Sequence, residues 1–313
     1  MRKTLVISGF LAFAVGAVFA LNDGKQGTSD AAVLQQGNEN TASLSQWGQS
    51  HVTIEQIGDK NTADAGFIIG SDLELLQQGS ENLYFSWTIN DGTTAMIKQQ
   101  GDQNLVHYET WYGSTAYIDQ VGDLNKAYLS QDGSEFGSES NPFLQEGEGN
   151  YLGGKVFTYA YQKDAAFSGF QQGDHNTILL EQFGATAQIE QSGSHNKALL
   201  LQHGGGDASI VQTGDHHIAS ILQNGGEMYS NIIQTGENHT ATQTQKGEGN
   251  TGIIHQDGAG NTAIQHQDGT NIWGQILQSG QGNEAIMIQL GNGNQAQINQ
   301  SGDGNQATVI QNP

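Results

Sequence analysis

The sequence predicts an all-β fold: a β-solenoid with coils of about 22 residues, each made of two strand–turn halves of about 11 residues, and cross-β stacking with Gln and Asn ladders. Three observations predict this fold. A Gln recurs about every eleven residues, inward and outward residue types alternate with a period of two, and a Gly follows each predicted strand.

The recurring Gln defines the repeat. From residue 171 onward most copies are eleven residues apart, at positions 171, 182, 191, 202, 212, 223, 234, 245, 256, 267, 278, 289, 300 and 311. Earlier copies stand at positions 35, 46, 56, 77, 99, 120, 131 and 145. Three of the earlier gaps are about double, and the stretches TINDG (88–92) and ETWYG (109–113) occupy missing places. We therefore expect half-coils there that have lost their inward Gln.

Residue parity predicts which face of each strand is buried. Counting back in twos from Gln300 gives Ile298, Ala296 and Asn294, whereas the residues between them are polar. Residues two apart share one face of a strand, so this period indicates strands and not helices. The Gly-x-x stretches between strands supply the positive φ that tight turns require.

The inward amides predict side-chain ladders. A buried amide without a partner costs roughly 1–3 kcal/mol, but amides stacked at the strand spacing bond to the equivalent amides above and below. A slip of one residue would exchange the two faces, so the ladder also fixes the register. The residues predicted to form the ladder and to carry self-assembly are Gln171, Asn176, Gln182, Gln191, Asn196, Gln202, Gln245, Asn250, Gln256, Asn261, Gln267, Gln278, Asn283, Gln289, Asn294, Gln300, Asn305 and Gln311.

Composition and charge exclude several classes of function. The 313 residues include 10 Lys and Arg against 32 Asp and Glu, a net charge of −22, which argues against a nucleic-acid partner. The acidic residues stand mostly at turns, as solvating residues would. The sequence has no nucleophile motif and no Gly-rich phosphate-binding loop followed by a helix, so we predict no enzymatic activity and no catalytic residues. The 10 His lack the spacing of metal ligands, and we predict neither a metal nor a cofactor.

The N-terminus and the repeat rhythm predict the domain organisation. Residues 1–20 combine basic residues, an apolar run and a small-residue site, which predicts a signal peptide, export and no stable membrane insertion. Residues 21–28 form a short N-terminal segment, residues 29–133 a first repeat array, and residues 171–313 a regular array. Between the arrays, residues 134–170 break the rhythm around Pro142, and we expect loops there, either a tolerated insertion or a binding loop.

The repeat resembles the curlin repeat of bacterial curli subunits. The unit is intact in Gln289-Gly291-Asn294-Ala296-Gln300 and Gln300-Gly302-Asn305-Ala307-Gln311, and the resemblance covers most of the chain after about residue 29. It implies a secreted structural subunit that self-assembles into extracellular, curli-like amyloid fibres for adhesion and biofilm matrix. It also implies related curli-type subunits or a nucleator, and an outer-membrane secretion channel, as partners. The chain departs from the family in having about twice the usual number of repeats and a shorter N-terminal segment.

Two further expectations concern assembly. The alternating face begins near residue 29 and continues to Gln311 without a distinct cap, so we expect copies of the chain to stack head to tail as a homopolymer. The alternative is a soluble monomeric solenoid that binds a glycan, ice or a host surface. Aromatic residues cluster between positions 84 and 161, where they either fill wider coils or form an adhesive patch.

Overall fold

The computed structural model describes residues 6–7, 17–22, 29–154 and 160–312. Within these ranges every regular element is a β-strand, and no helix is long and apolar enough to cross a membrane. The predicted signal peptide and the segment 21–28 lie outside the described residues, except for the backbones of 6–7 and 17–22. The chain divides into two compact units, which meet in sequence between residues 153 and 164.

The first unit, unit 1, contains sixteen strands. They are β1 (Val6–Ile7), β2 (Ala17–Asn22), β3 (Asp30–Gln36), β4 (Thr41–Trp47), β5 (His51–Ile57), β6 (Thr62–Ile69), β7 (Asp72–Gln78), β8 (Leu83–Ile89), β9 (Thr94–Gln100), β10 (Leu105–Thr110), β11 (Thr115–Val121), β12 (Lys126–Asp132), β13 (Glu135–Phe136), β14 (Phe143–Glu146), β15 (Tyr151–Gly153) and β16 (Ala160–Lys163). Odd-numbered strands up to β11 form one parallel sheet and even-numbered strands up to β12 the other; β13 and β14 then pair with β11, and β15 and β16 with β12.

The second unit, unit 2, contains fourteen strands. They are β17 (Ala166–Gln172), β18 (Thr177–Phe183), β19 (Thr186–Ser192), β20 (Lys197–His203), β21 (Gly206–Asp215), β22 (Ile218–Gly226), β23 (Met228–Glu237), β24 (Thr240–Glu248), β25 (Thr251–Ala259), β26 (Thr262–Thr270), β27 (Trp273–Gln281), β28 (Glu284–Leu290), β29 (Gln295–Ser301) and β30 (Gln306–Gln311). Odd-numbered strands again form one parallel sheet and even-numbered strands the other.

The register confirms the predicted coil. Strand β25 pairs with β27 residue for residue, from Thr251 with Trp273 to Ala259 with Gln281, and no residue is skipped. Each such step is one coil of two strands and two turns, which is the predicted length of about 22 residues. Strands of one sheet therefore stack on their equivalents, as a β-solenoid requires.

The core lies between the two sheets of each unit and follows the predicted parity. In β20 the residues Ala198, Leu200 and Gln202 are fully buried, whereas Lys197 and His203 are exposed. The small and branched apolar residues fill the narrow space between the sheets, and the inward Gln is the last buried residue of the strand. The alternation predicted from sequence is thus the alternation of burial.

The half-coils without Gln lie in the even-numbered sheet of unit 1. Ile68 pairs with Gln46 and Ile89 with Ile68, and Thr110 pairs with Gln131, so two Ile and one Thr stand at the Gln place. The register of β4 and β6 shifts by one residue after Leu44, because Gly66 is an extra residue in β6. A bulge of this kind turns the neighbouring side chain outward, and Phe67 is exposed.

The predicted insertion, residues 134–170, contains strands as well as turns. In β14 Gln145 pairs with Gln120, and in β16 Gln162 pairs with Gln131, so both Gln columns of unit 1 extend into it. Phe136 and Phe143 are fully buried and pack with ring centroids 5.1 Å apart. The array boundaries themselves stay a prediction.

Candidate functional site

Two columns of buried glutamines run through unit 2, one in each sheet. In both columns each Gln Nε2 donates to the Oε1 of the Gln one coil further along the chain, at 2.7–3.1 Å. The columns are Gln171, Gln191, Gln212, Gln234, Gln256, Gln278 and Gln300, and Gln182, Gln202, Gln223, Gln245, Gln267, Gln289 and Gln311.

The second N–H of these amides links the two sheets. The Nε2 of Gln256, in β25, also donates to the backbone carbonyl of Thr240 in β24, at 3.1 Å. The Nε2 of Gln245 makes the equivalent bond to Tyr229 O at 3.0 Å. Each side chain therefore satisfies both N–H groups and its oxygen inside a site from which water is excluded, which is what a buried amide requires.

Unit 1 has one continuous column and one interrupted column. In the odd-numbered sheet the Nε2-to-Oε1 distances run from 2.7 to 3.0 Å through Gln35, Gln56, Gln77, Gln99, Gln120 and Gln145. In the even-numbered sheet Gln131 donates to Gln162 at 3.2 Å, but Ile68, Ile89 and Thr110 cannot continue the ladder. The even-numbered sheet of unit 1 therefore has fewer Gln-to-Gln bonds between its coils than the odd-numbered sheet.

The asparagines use a different bond from the one predicted for an amide ladder. The Oδ1 of Asn261 accepts the backbone N–H of Asn283, one coil on, at 2.9 Å. Its Nδ2 donates to the carbonyls of Asp257 and Gly280, both at 3.0 Å. Direct amide-to-amide bonds also occur, as from Asn305 to Asn283 at 2.9 Å. The Asn column therefore mainly bonds each turn to the backbone of the next turn.

The comparison with known families agrees with this geometry. A model of the curlin associated repeat matches residues 91–133 and residues 269–302, one stretch in each unit. Both stretches are similar to the curlin associated repeat. No protein in a set of curated sequences matches it. Within these stretches the Gln and Asn of the repeat are residues that stack, as Gln99 does on Gln120, Asn104 on Asn125 and Gln278 on Gln300.

The residues predicted to form the ladder fall into the two Gln columns and two turn columns. Five of the seven predicted Asn share the turn that follows the odd-numbered strands of unit 2: Asn176, Asn196, Asn261, Asn283 and Asn305. Asn250 and Asn294 lie at the opposite turn, where Ile272 stands between them and donates its N–H to Asn250 Oδ1 at 2.9 Å. Their role in self-assembly stays a proposal.

Sequence reasoning missed three groups of stacking residues. Unit 1 has its own continuous Asn column, made of Asn40, Asn61, Asn82, Asn104, Asn125 and Asn150. Gln212, Gln223 and Gln234 belong to the Gln columns and were counted in the repeat but not among the predicted site residues. His217 and His239 fill places of Asn. The signal was available, because both His follow their Gln by five residues, as the Asn do.

Other chemistry in the described residues is sparse. No group of three His, Asp or Glu residues within the described ranges is placed to hold a metal ion. A groove of about 240 Å³ in unit 1 is lined by Trp87, Thr88, Asn90, Glu109, Thr110 and Trp111. The aromatic cluster thus divides into two groups, since Tyr84 and Tyr108 fill the interior of their coils while Trp87 and Trp111 are exposed.

Two inward glutamines of unit 2, Gln243 and Gln265, stand outside the ladder. Gln243 is fully buried, and neither its Nε2 nor its Oε1 has a hydrogen-bond partner. The facing residue is Gly252, where a Cβ would come within 1.8 Å of the Gln243 Nε2. The absent side chain of Gly252 makes room for Gln243, whose amide lacks the partners that the ladder supplies.

We predict that Gln243→Met raises the free energy of unfolding by about 1–2 kcal/mol, since an unpaired buried amide costs about that much. Met fits the column, because Met287 occupies the same place two coils further on. Chemical denaturation measures the effect. The control is Gln245→Met, which removes a ladder amide and should lower the free energy of unfolding. A loss of stability in both variants would contradict the prediction.

Proposed function

We propose that the chain is a secreted structural subunit that self-assembles into extracellular curli-type amyloid fibres, which serve adhesion and the biofilm matrix. Its role is structural and not enzymatic. The curlin repeats support this proposal, and the predicted signal peptide is in keeping with export. Partners are copies of the chain, related curli-type subunits or a nucleator, and an outer-membrane secretion channel.

The observation that carries the proposal is the open stacking surface of the last described coil. Strands β29 and β30 each have one neighbour among the described strands, and no described strand pairs with their other edges. The inward residues Ala307 and Val309 are partly exposed, whereas their equivalents Ala285 and Met287 are fully buried. A coil of another copy that stacked here would repeat the contacts already made between coils. Contacts of this type do not close on themselves and generate filaments.

The test places charge on this surface. In Ala307→Lys/Val309→Lys two ammonium groups point into the space that an incoming coil must fill, and we expect the fibre yield to fall at least about tenfold because burying unpaired charge is costly. Sedimentation and electron microscopy measure the yield. The matched control, Thr308→Lys/Ile310→Lys, adds the same charge to the exposed face of the same strand and should assemble within about twofold of the parent. Equal yields for the two variants would contradict stacking at this surface.

The second candidate function, a soluble solenoid that binds a glycan, is favoured by the groove between Trp87 and Trp111. Both indoles are more than half exposed, and the polar groups of Asn90 and Glu109 lie beside them. Amphipathic rings beside polar groups suit ligands with both apolar and hydrogen-bonding faces. A chain that stays monomeric at high concentration and binds a polysaccharide would support this function over the fibre.

A further inference from the structure

Two histidines take the place of asparagines in the turn column of unit 2. His217 lies between Asn196 and His239, and His239 lies between His217 and Asn261, each one coil apart. Both side chains are fully buried. The two imidazole rings are parallel, with centroids 5.1 Å apart and an angle of 7° between their planes. They therefore stack at the spacing of the coils, as the amides do.

The hydrogen bonds of the two rings fix their protonation. The Nδ1 of His217 accepts the backbone N–H of His239 at 3.3 Å, and the Nδ1 of His239 accepts that of Asn261 at 3.1 Å. Each Nε2 lies near a carbonyl four residues back, His217 near Thr213 O at 3.1 Å and His239 near Thr235 O at 3.0 Å. A carbonyl accepts only, so each Nε2 carries the hydrogen and each Nδ1 has none.

The two imidazoles make the same hydrogen bonds as an Asn side chain in this column, with one chemical difference. In both residues one atom accepts the next backbone N–H and another donates to the carbonyl four residues back, as Asn261 does toward Asp257. An amide cannot gain a proton near neutral pH, but an imidazole can. A proton on Nδ1 would point an N–H at the N–H of the next coil, and the bond between the coils would be replaced by repulsion.

We infer that His217 and His239 form a proton-sensitive pair in the turn column. The coils made of strands β21 to β26 of unit 2 can form their hydrogen bonds at this column only when both imidazoles are neutral. The pair lies in the middle of the unit, so coils on both sides depend on it. The device acts on the fold itself. Its effect on fibre growth rests on the proposed function.

The surroundings favour the neutral form. Burial lowers the pKa of both His217 and His239, and the neighbouring His239 lowers the pKa of His217 further. Contacts with backbone carbonyls oppose this, as do Asp215 for His217 and Asp257 for His239. The same turns also hold His216, which is exposed, and Glu237, which stands opposite Asp215 in the strand register; Lys197 is exposed on the outer face of β20. The net direction is downward for both imidazoles.

The sign of the pH dependence follows. An unfolded His takes up a proton as the pH falls below about 6.5, whereas the folded rings, whose pKa is lowered, resist it. Stability is therefore complete above about pH 6.5 and is lost as the pH falls toward the folded values. At pH 5.0 each ring reduces the folding equilibrium constant by up to about 30-fold, and the pair by up to about 1000-fold.

The experiment compares three chains at pH 7.5 and 5.0: the parent, His217→Asn/His239→Asn, and the control His195→Asn/His216→Asn. The control removes two exposed rings that stack with centroids 5.0 Å apart. Denaturant unfolding followed by circular dichroism gives the equilibrium constant. We expect the parent and the control to lose stability at pH 5.0 to the same extent, and the His217→Asn/His239→Asn variant to lose much less.

Two further readouts separate this inference from the proposed function. Nitrogen chemical shifts of the imidazoles at pH 7.5 should show both rings protonated at Nε2; a proton on Nδ1 would overturn the inference. An unchanged pH dependence in the His217→Asn/His239→Asn variant would also overturn it. Fibre yield is scored in parallel. A chain that forms no fibres at either pH contradicts the proposed function and leaves the unfolding comparison intact.

Discussion

Gln256→Ala should lower the free energy of unfolding by about 3–5 kcal/mol, because it leaves several buried groups without partners and creates a cavity. Gln256 accepts from Gln234 and donates to Gln278 Oε1, both at 2.9 Å, and it also holds the carbonyl of Thr240. Both neighbours are fully or almost fully buried, so water cannot replace the lost bonds. Denaturant unfolding gives the stability. Under the proposed function, the lag time of fibre formation should lengthen as well.

The matched control is Gln297→Ala. Gln297 also donates to a Gln one coil away, Gln275, at 3.1 Å, but the bond lies on the exposed face. Solvent competes for it, so the loss should be at most about 0.5 kcal/mol. Equal losses in Gln256→Ala and Gln297→Ala would show that the buried columns contribute no more than a surface contact, and would contradict the role assigned to the ladder.

Gly258→Ala should be about as damaging, with a loss of about 3–5 kcal/mol from backbone strain and overpacking together. Gly258 has φ +110, and a Cβ there would lie 2.2 Å from the carbonyl oxygen of Gly280 in the next coil. This carbonyl already accepts the Nδ2 of Asn261 in the neighbouring coil at 3.0 Å, so it cannot move aside without breaking a bond between the coils. Thermal or denaturant unfolding of the single variant measures the loss.

Gly282→Asn is the control for Gly258→Ala. Gly282 also has a positive φ, of +62, but no atom lies within 4 Å of its missing Cβ. Asn238 already occupies the equivalent place two coils earlier with φ 58, so an Asn side chain is compatible with this turn. We expect a change within about 1 kcal/mol. A loss as large as that of Gly258→Ala would mean that turn strain alone, and not the close approach of coils, makes the Gly necessary.

The solenoid could be predicted from the sequence because its eleven-residue repeat and its two-residue alternation both appear in the residue types. The eleven-residue recurrence of Gln and the alternation around residues such as Ile298 fix strand length, facing and stacking together, and the register of β27 with β29 agrees. The missing Gln of unit 1 were also visible, since TINDG and ETWYG stand where the period requires a Gln, and Ile89 and Thr110 occupy those places.

The stacking residues that the sequence did not predict differ from Asn in residue type but make the same hydrogen bonds. His217 shares no residue type with Asn196, yet both offer an acceptor to the next N–H. Recognising this requires knowing which atoms the turn presents. The Asn bonds themselves were predicted as amide to amide, but the turn brings backbone groups closer than the next side chain. The strands within residues 134–170 are short, and two to four residues carry too little periodicity to be detected.

The second N–H of each ladder amide has a consequence for the whole stack. Because Gln256 Nε2 also donates to the carbonyl of Thr240, the amide cannot be turned around without opposing two oxygens. Every bond in both Gln columns of unit 2 consequently runs in one sense, from the amide of an earlier coil to the oxygen of a later one. The bond dipoles add along the axis and polarise one another. A filament built by continuing these columns would have a donor end and an acceptor end, and its two tips would grow at different rates.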